Sequence, residues 1–324
     1  MPSEPAGHKQ SSRDERELKV ASVAGRSLSK EVLARMLQNR MAVFSGVVLL
    51  ILGFLTIFGL PLLDTFSGIV PLDTQLEMGA TSPSSAHWMG TDLLGRDMFA
   101  RILQGGRLSL LIGIIATLVS LSIGVFYGAL AGFVGGRVDN FMMRVVDVLY
   151  ALPYMFVIII LMVMVRGLRS SIEPGSLLDT LAHPSLALFF ALGAVQWLTM
   201  ARIVRGQVLS LKRLDFVVAA RTMGVSDFDI LWRHLVPNTI GPVVVFATLT
   251  IPSVILQEAF ISFLGLGVEA PDASWGTLIS DGRKAMTVFP WLLAFPAVFL
   301  ALTIFALNSL GDGLRDALDP QSGD

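Results

Sequence analysis

Six apolar stretches punctuate the chain, at residues 42–63, 108–133, 145–165, 185–201, 240–264 and 289–310. Each is close to the ~20 residues that carry a helix across ~30 Å of hydrocarbon. Period-2 alternation is absent throughout, which excludes a transmembrane barrel. The pattern therefore predicts an all-α, polytopic membrane protein with six transmembrane helices. A seventh feature interrupts it: the polar block DFVVAARTMGVSDFDILWRHLVPN at 215–238, between the fourth and fifth apolar stretches. Its apolar spacing predicts a helix, a break at Gly224, and a second helix ending at Pro237.

Charge placement gives an orientation, because loops rich in Lys and Arg stay on the cytoplasmic side. With the N-terminus inside, the inner segments hold 17 of the 24 basic residues and the outer loops 7. Both termini and the 215–238 block are then cytoplasmic. The resulting division is a cytoplasmic tail at 1–40, poorly ordered before about Ser27, a first span at 41–64 and an extracytoplasmic connection at 65–106. A membrane domain follows at 107–311, with a cytoplasmic loop at 202–239, and a cytoplasmic tail at 312–324. The end of the long connection, GTDLLGRDMFARILQGGR, reads as an amphipathic helix lying on the outer surface. Gly124, Gly128 and Gly132 recur every fourth residue, the spacing that lets two membrane helices approach closely. Pro153 and Pro252 fall inside spans and predict bends.

Composition agrees with the pattern: 53% of residues are apolar and 15% charged, against about 25% charged in soluble domains. With no Cys and scattered single His residues, neither disulfides nor thiolate or paired-histidine metal sites are expected. No Gly-Lys pair occurs, so the phosphate-cradling loop of nucleotide hydrolases is missing. Nucleic acid is not expected as a partner, because the net charge is −1. Catalysis by this chain is not expected, and neither is a bound cofactor. Glu258 is the one acid deep in a predicted span, with Gln196 and Gln257 its nearest company in kind. A buried charge in a membrane is costly and suggests function, so Glu258 is a candidate for a translocation path or gate. Its alternative role is a buried hydrogen bond between helices. Arg202 and Arg205 are expected to end the fourth helix, with Asp147 near the same boundary.

The polar block resembles the cytoplasmic "EAA" loop of importer permeases driven by separate ATP-binding-cassette (ABC) subunits. Ala219, Ala220, Gly224 and Pro237 fall on that loop's pattern, while Val218, His234 and Val236 depart from it. The ending Arg233, His234, Pro237, Asn238 is similar to the peptide-importer branch, as are GTDLLGRD at 90–97, FLGLG at 263–267, SWG at 274–276 and GDGLRDALDP at 311–320. These motifs resemble the C-type membrane subunit of oligopeptide permeases over about residues 35–320.

The resemblance implies a type I ABC importer permease fold in a bacterial inner membrane, conducting peptides. It implies a second homologous permease, two ATP-binding subunits that hold the ATP and Mg, and an extracytoplasmic peptide-binding protein. The ATPase-coupling residues it implies are Asp215, Ala219, Ala220, Arg221, Gly224, Val225, Asp227 and Pro237. The expected mechanism has the first helix of the block seated in a cleft on the ATPase, Gly224 turning the chain, and Pro237 stopping the second helix at the membrane. A self-contained ion-coupled transporter is the alternative, and a single deep carboxylate without an internal repeat suits it poorly.

Overall fold

The computed structural model describes residues 28–173, 175–181 and 183–318, and the described residues are almost wholly helical. Expectations about the tail before Leu28 and about 319–324 lie outside the described residues. The helices are α1 (Leu28–Gln38), α2 (Arg40–Ser67), α3 (Met98–Val134), α4 (Gly136–Ala151), α5 (Tyr154–Arg169), α6 (Leu177–Leu181) and α7 (Pro184–Leu211). They continue as α8 (Asp215–Thr222), α9 (Asp227–Asp229), a π-helical turn Ile230–Leu235, α10 (Val236–Asn238), α11 (Ile240–Phe263), α12 (Trp275–Ala285) and α13 (Trp291–Leu318). Five of them, α2, α3, α7, α11 and α13, are long and apolar enough to cross a membrane. We call the end of the bundle that carries α8 the loop end.

The third predicted span, 145–165, is not one bent helix. Chain 136–169 is two helices, α4 and α5, meeting at 80°. The cause is Pro153: a proline blocks the α region for the residue before it, and Leu152 is extended at φ −76°, ψ 136°. Pro252, by contrast, sits inside α11, which runs through it.

Three other boundaries correct the sequence reading. The surface helix expected at the end of the long connection does not exist as such. Residues 98–107 are the first turns of α3, with Met98, Ala100, Arg101, Ile102 and Leu103 buried. The helix starts there because Asp97 accepts the Ala100 N–H at 2.8 Å as its N-cap, a common way of satisfying the free donors of a first turn. The fourth span does not end at Arg202 and Arg205 but continues to Leu211. Finally, the last predicted span, 289–310, is part of the longer α13, which extends to Leu318 and on which α1 packs.

The core of the bundle is the α3–α7 pair, the most extensive helix contact in the chain. Its closeness is owed to the glycine stripe. A Cβ on Gly128 would lie 2.3 Å from the Ala201 carbonyl oxygen, and one on Gly132 2.8 Å from that of Arg205. In hydrocarbon such packing replaces the hydrophobic drive that water supplies elsewhere. On the outside of the bundle α2 presents Phe44, Leu50, Phe54 and Ile57, each more than half exposed, as a lipid-facing helix should.

Candidate functional site

The loop end is built as a small module resting on the ends of α3 and α7. Lys212 Nζ anchors the approach, donating to the Gly132 and Phe133 carbonyls at 2.8 and 3.2 Å. The last backbone carbonyls of α3 have no helical N–H four residues on, so they are open to a lysine. In α8, Val217 and Ala220 point inward and join Val204, Val208, Ile230, Leu231 and Leu235 in one buried cluster. Burying each large apolar side chain of this kind contributes about 1.5–3 kcal/mol.

Gly224 ends α8 with a complete left-handed cap. Its φ is +82°, the Gly224 N–H donates to Arg221 O at 3.1 Å and the Val225 N–H to Ala220 O at 3.1 Å. That double hydrogen bond is the Schellman arrangement, which favours glycine at this position. Ser226 then opens the next segment, accepting the Asp229 N–H at 3.1 Å. The segment is not a plain helix: Ile230–Leu235 winds as a π-turn. Pro237 supplies the reason, since it offers no N–H and its ring crowds the carbonyl four residues back. Nor does Pro237 stop the chain, because α10 runs through Asn238 and α11 begins at Ile240.

The structure brings the eight loop positions together but sorts them onto two faces. Asp215, Ala219, Arg221, Gly224, Asp227 and Pro237 are exposed, Val225 is half-buried, and Ala220 is 3% exposed against the bundle. Arg221 and Asp227 pair at 3.1 Å across the Gly224 turn. Sequence reasoning missed the apolar side chains on the outward face: Phe216, Val218, Met223 and Phe228 are 40%, 54%, 76% and 72% exposed. Their signal was present, four large apolar residues in a polar block, but which of them faced the bundle depended on the α8 rotation.

Glu258 lies elsewhere, in the half of α11 away from the loop end, with 0% exposure. It accepts hydrogen bonds from Ser109 at 3.2 Å and Ser262 at 2.6 Å. Ser109 also accepts the Trp275 backbone N–H at 3.2 Å, and the Trp275 indole N–H reaches Ile102 O at 3.0 Å. Glu258 thus ties α3, α11 and α12 together, and it lines none of the cavities described for the chain. The residues of SWG are packing elements of the same junction: a Cβ on Gly276 would meet Ala259 Cα at 2.5 Å.

The basic residues of α7 hold α4. Arg205 forms a two-pronged contact with Asp139, whose partners are Nε–Oδ1 and Nη2–Oδ2, and Arg202 Nη2 is 2.8 Å from Asp147 Oδ1. Arg202 also lies 4.3 Å over the Tyr150 ring.

With this geometry in view, comparison with known proteins places the chain. Residues 124–323 match the family described as binding-protein-dependent transport system inner membrane component, and residues 27–75 match the N-terminal transmembrane domain of oligopeptide transport permease C. The chain is 45% identical over 301 residues to the oligopeptide transport system permease protein OppC of Escherichia coli K12, covering 92% of this chain and 93% of the relative. It is 43% identical over 296 residues to OppC of Bacillus subtilis, covering 91% and 90%, and 43% identical to the dipeptide permease DppC of the same organism, covering 91% and 86%. A chain of the MetNI methionine ABC transporter shares the fold at TM-score 0.52 and 15% identity, over 67% of this chain and 96% of that one. The chain is a multi-pass membrane protein, and it belongs to the family of inner-membrane components of binding-protein-dependent transport systems.

Proposed function

We propose that this chain is the C-type permease subunit of an ATP-driven oligopeptide importer in a bacterial inner membrane, with its loop end in the cytoplasm. The reading includes a homologous partner permease, two ATP-binding subunits carrying ATP and Mg, and an extracytoplasmic peptide-binding protein. The observation that carries the coupling role is the two-faced α8 module. Its inner face is spent on Val217 and Ala220, its fold is closed by the Gly224 cap, and its outer face offers Phe216, Val218, Ala219 and Met223. A short preformed helix with an unspent apolar face is the ligand half of a helix-in-groove contact. Asp215, Arg221 and Asp227 border that face and set the register of docking, while Val225 and Pro237 shape its support. Val218 replaces the family's acidic residue on this face, so the contact relies on apolar fit there. The burial of Glu258 supports a driven permease over a self-contained ion-coupled transporter, because that carboxylate is committed to hydrogen bonds between helices.

Adjacent alanines give the test. Ala219 is exposed and Ala220 is buried. Ala219→Arg is expected to assemble in the membrane with the partner permease and to lose ATPase docking and peptide uptake in proteoliposomes. Ala220→Arg is expected to fail at assembly. Uptake by Ala219→Arg at the unaltered rate would sink the coupling role.

A further inference from the structure

Two glutamines, Gln196 and Gln257, share one cavity with residues of the kink between α4 and α5 and are used by nothing described so far. They line a cavity of about 290 Å³ together with Tyr150, Tyr154, Thr199 and Ser253. Gln196 and Ser253 stand at the middle of α7 and α11, so the cavity lies midway along the bundle, on a face where Tyr150, Tyr154 and Ser253 are exposed. Through Tyr154, Ser253 and Gln257 it continues into a second cavity of about 600 Å³, whose remaining wall is apolar and includes Leu256, Phe260 and Leu300.

Three observations give the cavity a chemical character. Neither half is lined by Asp, Glu, Lys, Arg or His among the described residues. Arg202 lies over the ring of the lining residue Tyr150, and Asp147 already balances it. The Gln257 Oε1 atom is buried and accepts no hydrogen bond, an unusual state for an amide oxygen in a low-dielectric setting.

We propose that the joined cavities are a transit subsite for the main chain of an extended peptide. A glutamine amide carries one acceptor oxygen and a two-proton donor, the complement of a peptide unit. Gln196 and Gln257 exchange hydrogen bonds with successive peptide units, the hydroxyls of Tyr154, Thr199 and Ser253 complete the row, and the apolar half receives side chains. Main-chain amides are common to every peptide and uncharged. A site lined by no acidic or basic side chain therefore holds peptides of any sequence without trapping acidic or basic ones. This inference rests on the peptide-import reading and adds to it the residues that meet the cargo.

The test uses the complete complex, with partner permease, ATPases and binding protein, in proteoliposomes. In the double variant Gln196→Leu, Gln257→Leu, peptide delivered per ATP hydrolysed is expected to fall about tenfold, the scale of one or two lost hydrogen bonds. Because the chain has no cysteine, Ser253→Cys places one thiol in the cavity. That thiol is expected to react with a water-soluble maleimide and to be protected during peptide transport, whereas Phe156→Cys, on the 64% exposed outer face of α5, is not protected. Delivery per ATP within twofold of the unaltered complex, or a Ser253→Cys thiol whose labelling ignores the peptide, overturns the proposal. If the double variant does not assemble, the thiol alone decides. Failure of the importer reading itself looks different: the unaltered complex shows no ATP-dependent uptake.

Discussion

Glu258 shows how the position of one side chain leaves two roles open. A lone acid in a membrane helix reads as a functional charge, and nothing in the sequence near it reveals that Ser109, 149 residues earlier, supplies a hydroxyl. Removing its acceptor strands the hydroxyls of Ser109 and Ser262, and an unmet buried partner costs about 1–3 kcal/mol. Glu258→Leu is therefore expected to lower the thermal midpoint of the solubilised complex, with Glu258→Gln, which keeps a carbonyl acceptor, losing much less. Peptide uptake per assembled complex should survive in Glu258→Gln. Loss of uptake with normal assembly would return Glu258 to the conduction path. Gly224 is the opposite case. Its role as a turn was legible from sequence because only glycine is at ease at φ +82°, and a helix stop of this kind is a local property.

Among the elements, the long spans were legible because each carries an uninterrupted apolar run. Their ends were not. Arg202 and Arg205 look like a boundary, yet α7 continues past both because Asp147 and Asp139 on α4 supply their counter-charges. The same pairs define how α4 is held. Only Asp139 and Val146 are buried along its 16 residues, so charge rather than apolar contact fastens it to α7. Truncating one member of such a hydrogen-bonded charge pair leaves the other without compensation. Asp139→Ala should loosen α4 selectively, seen as faster amide exchange across 136–151 with exchange in α3 and α7 unchanged. Uniform change across the bundle would mean that α4 is held by packing instead. The kink at Pro153 was legible as a bend, but not its 80° size; the angle depends on how α5 leans on α7 and on the Arg166 contacts with the Gly265 and Gly267 carbonyls.

For the molecule as a whole, the count of apolar runs and the placement of basic residues set a topology that can be checked directly. In sealed, right-side-out vesicles, Ser84→Cys on the connection before α3 should react with an impermeant maleimide, and Ser226→Cys in the loop-end module should react only after permeabilisation. The reverse pattern would invert the assignment of the loop end to the cytoplasm. The cavity at the kink could not have been read from the chain, since its polar lining comes from four helices whose sequence spacing gives no hint that they converge. Its glutamines were visible, but not what lay between them. The α3–α7 contact has a mechanical corollary. At 37 residues, α3 is a rod about 55 Å long, and the stripe at Gly124, Gly128 and Gly132 leaves no soft side-chain layer between it and α7 to absorb shear. Two rods so seated behave as one stiff beam, with the α8 module bolted to its end. In the coupling role proposed above, a push on that module would be delivered as rotation, and about 10° of tilt would move the opposite end of such a beam by about 10 Å, enough to open or shut a passage without deforming a single helix.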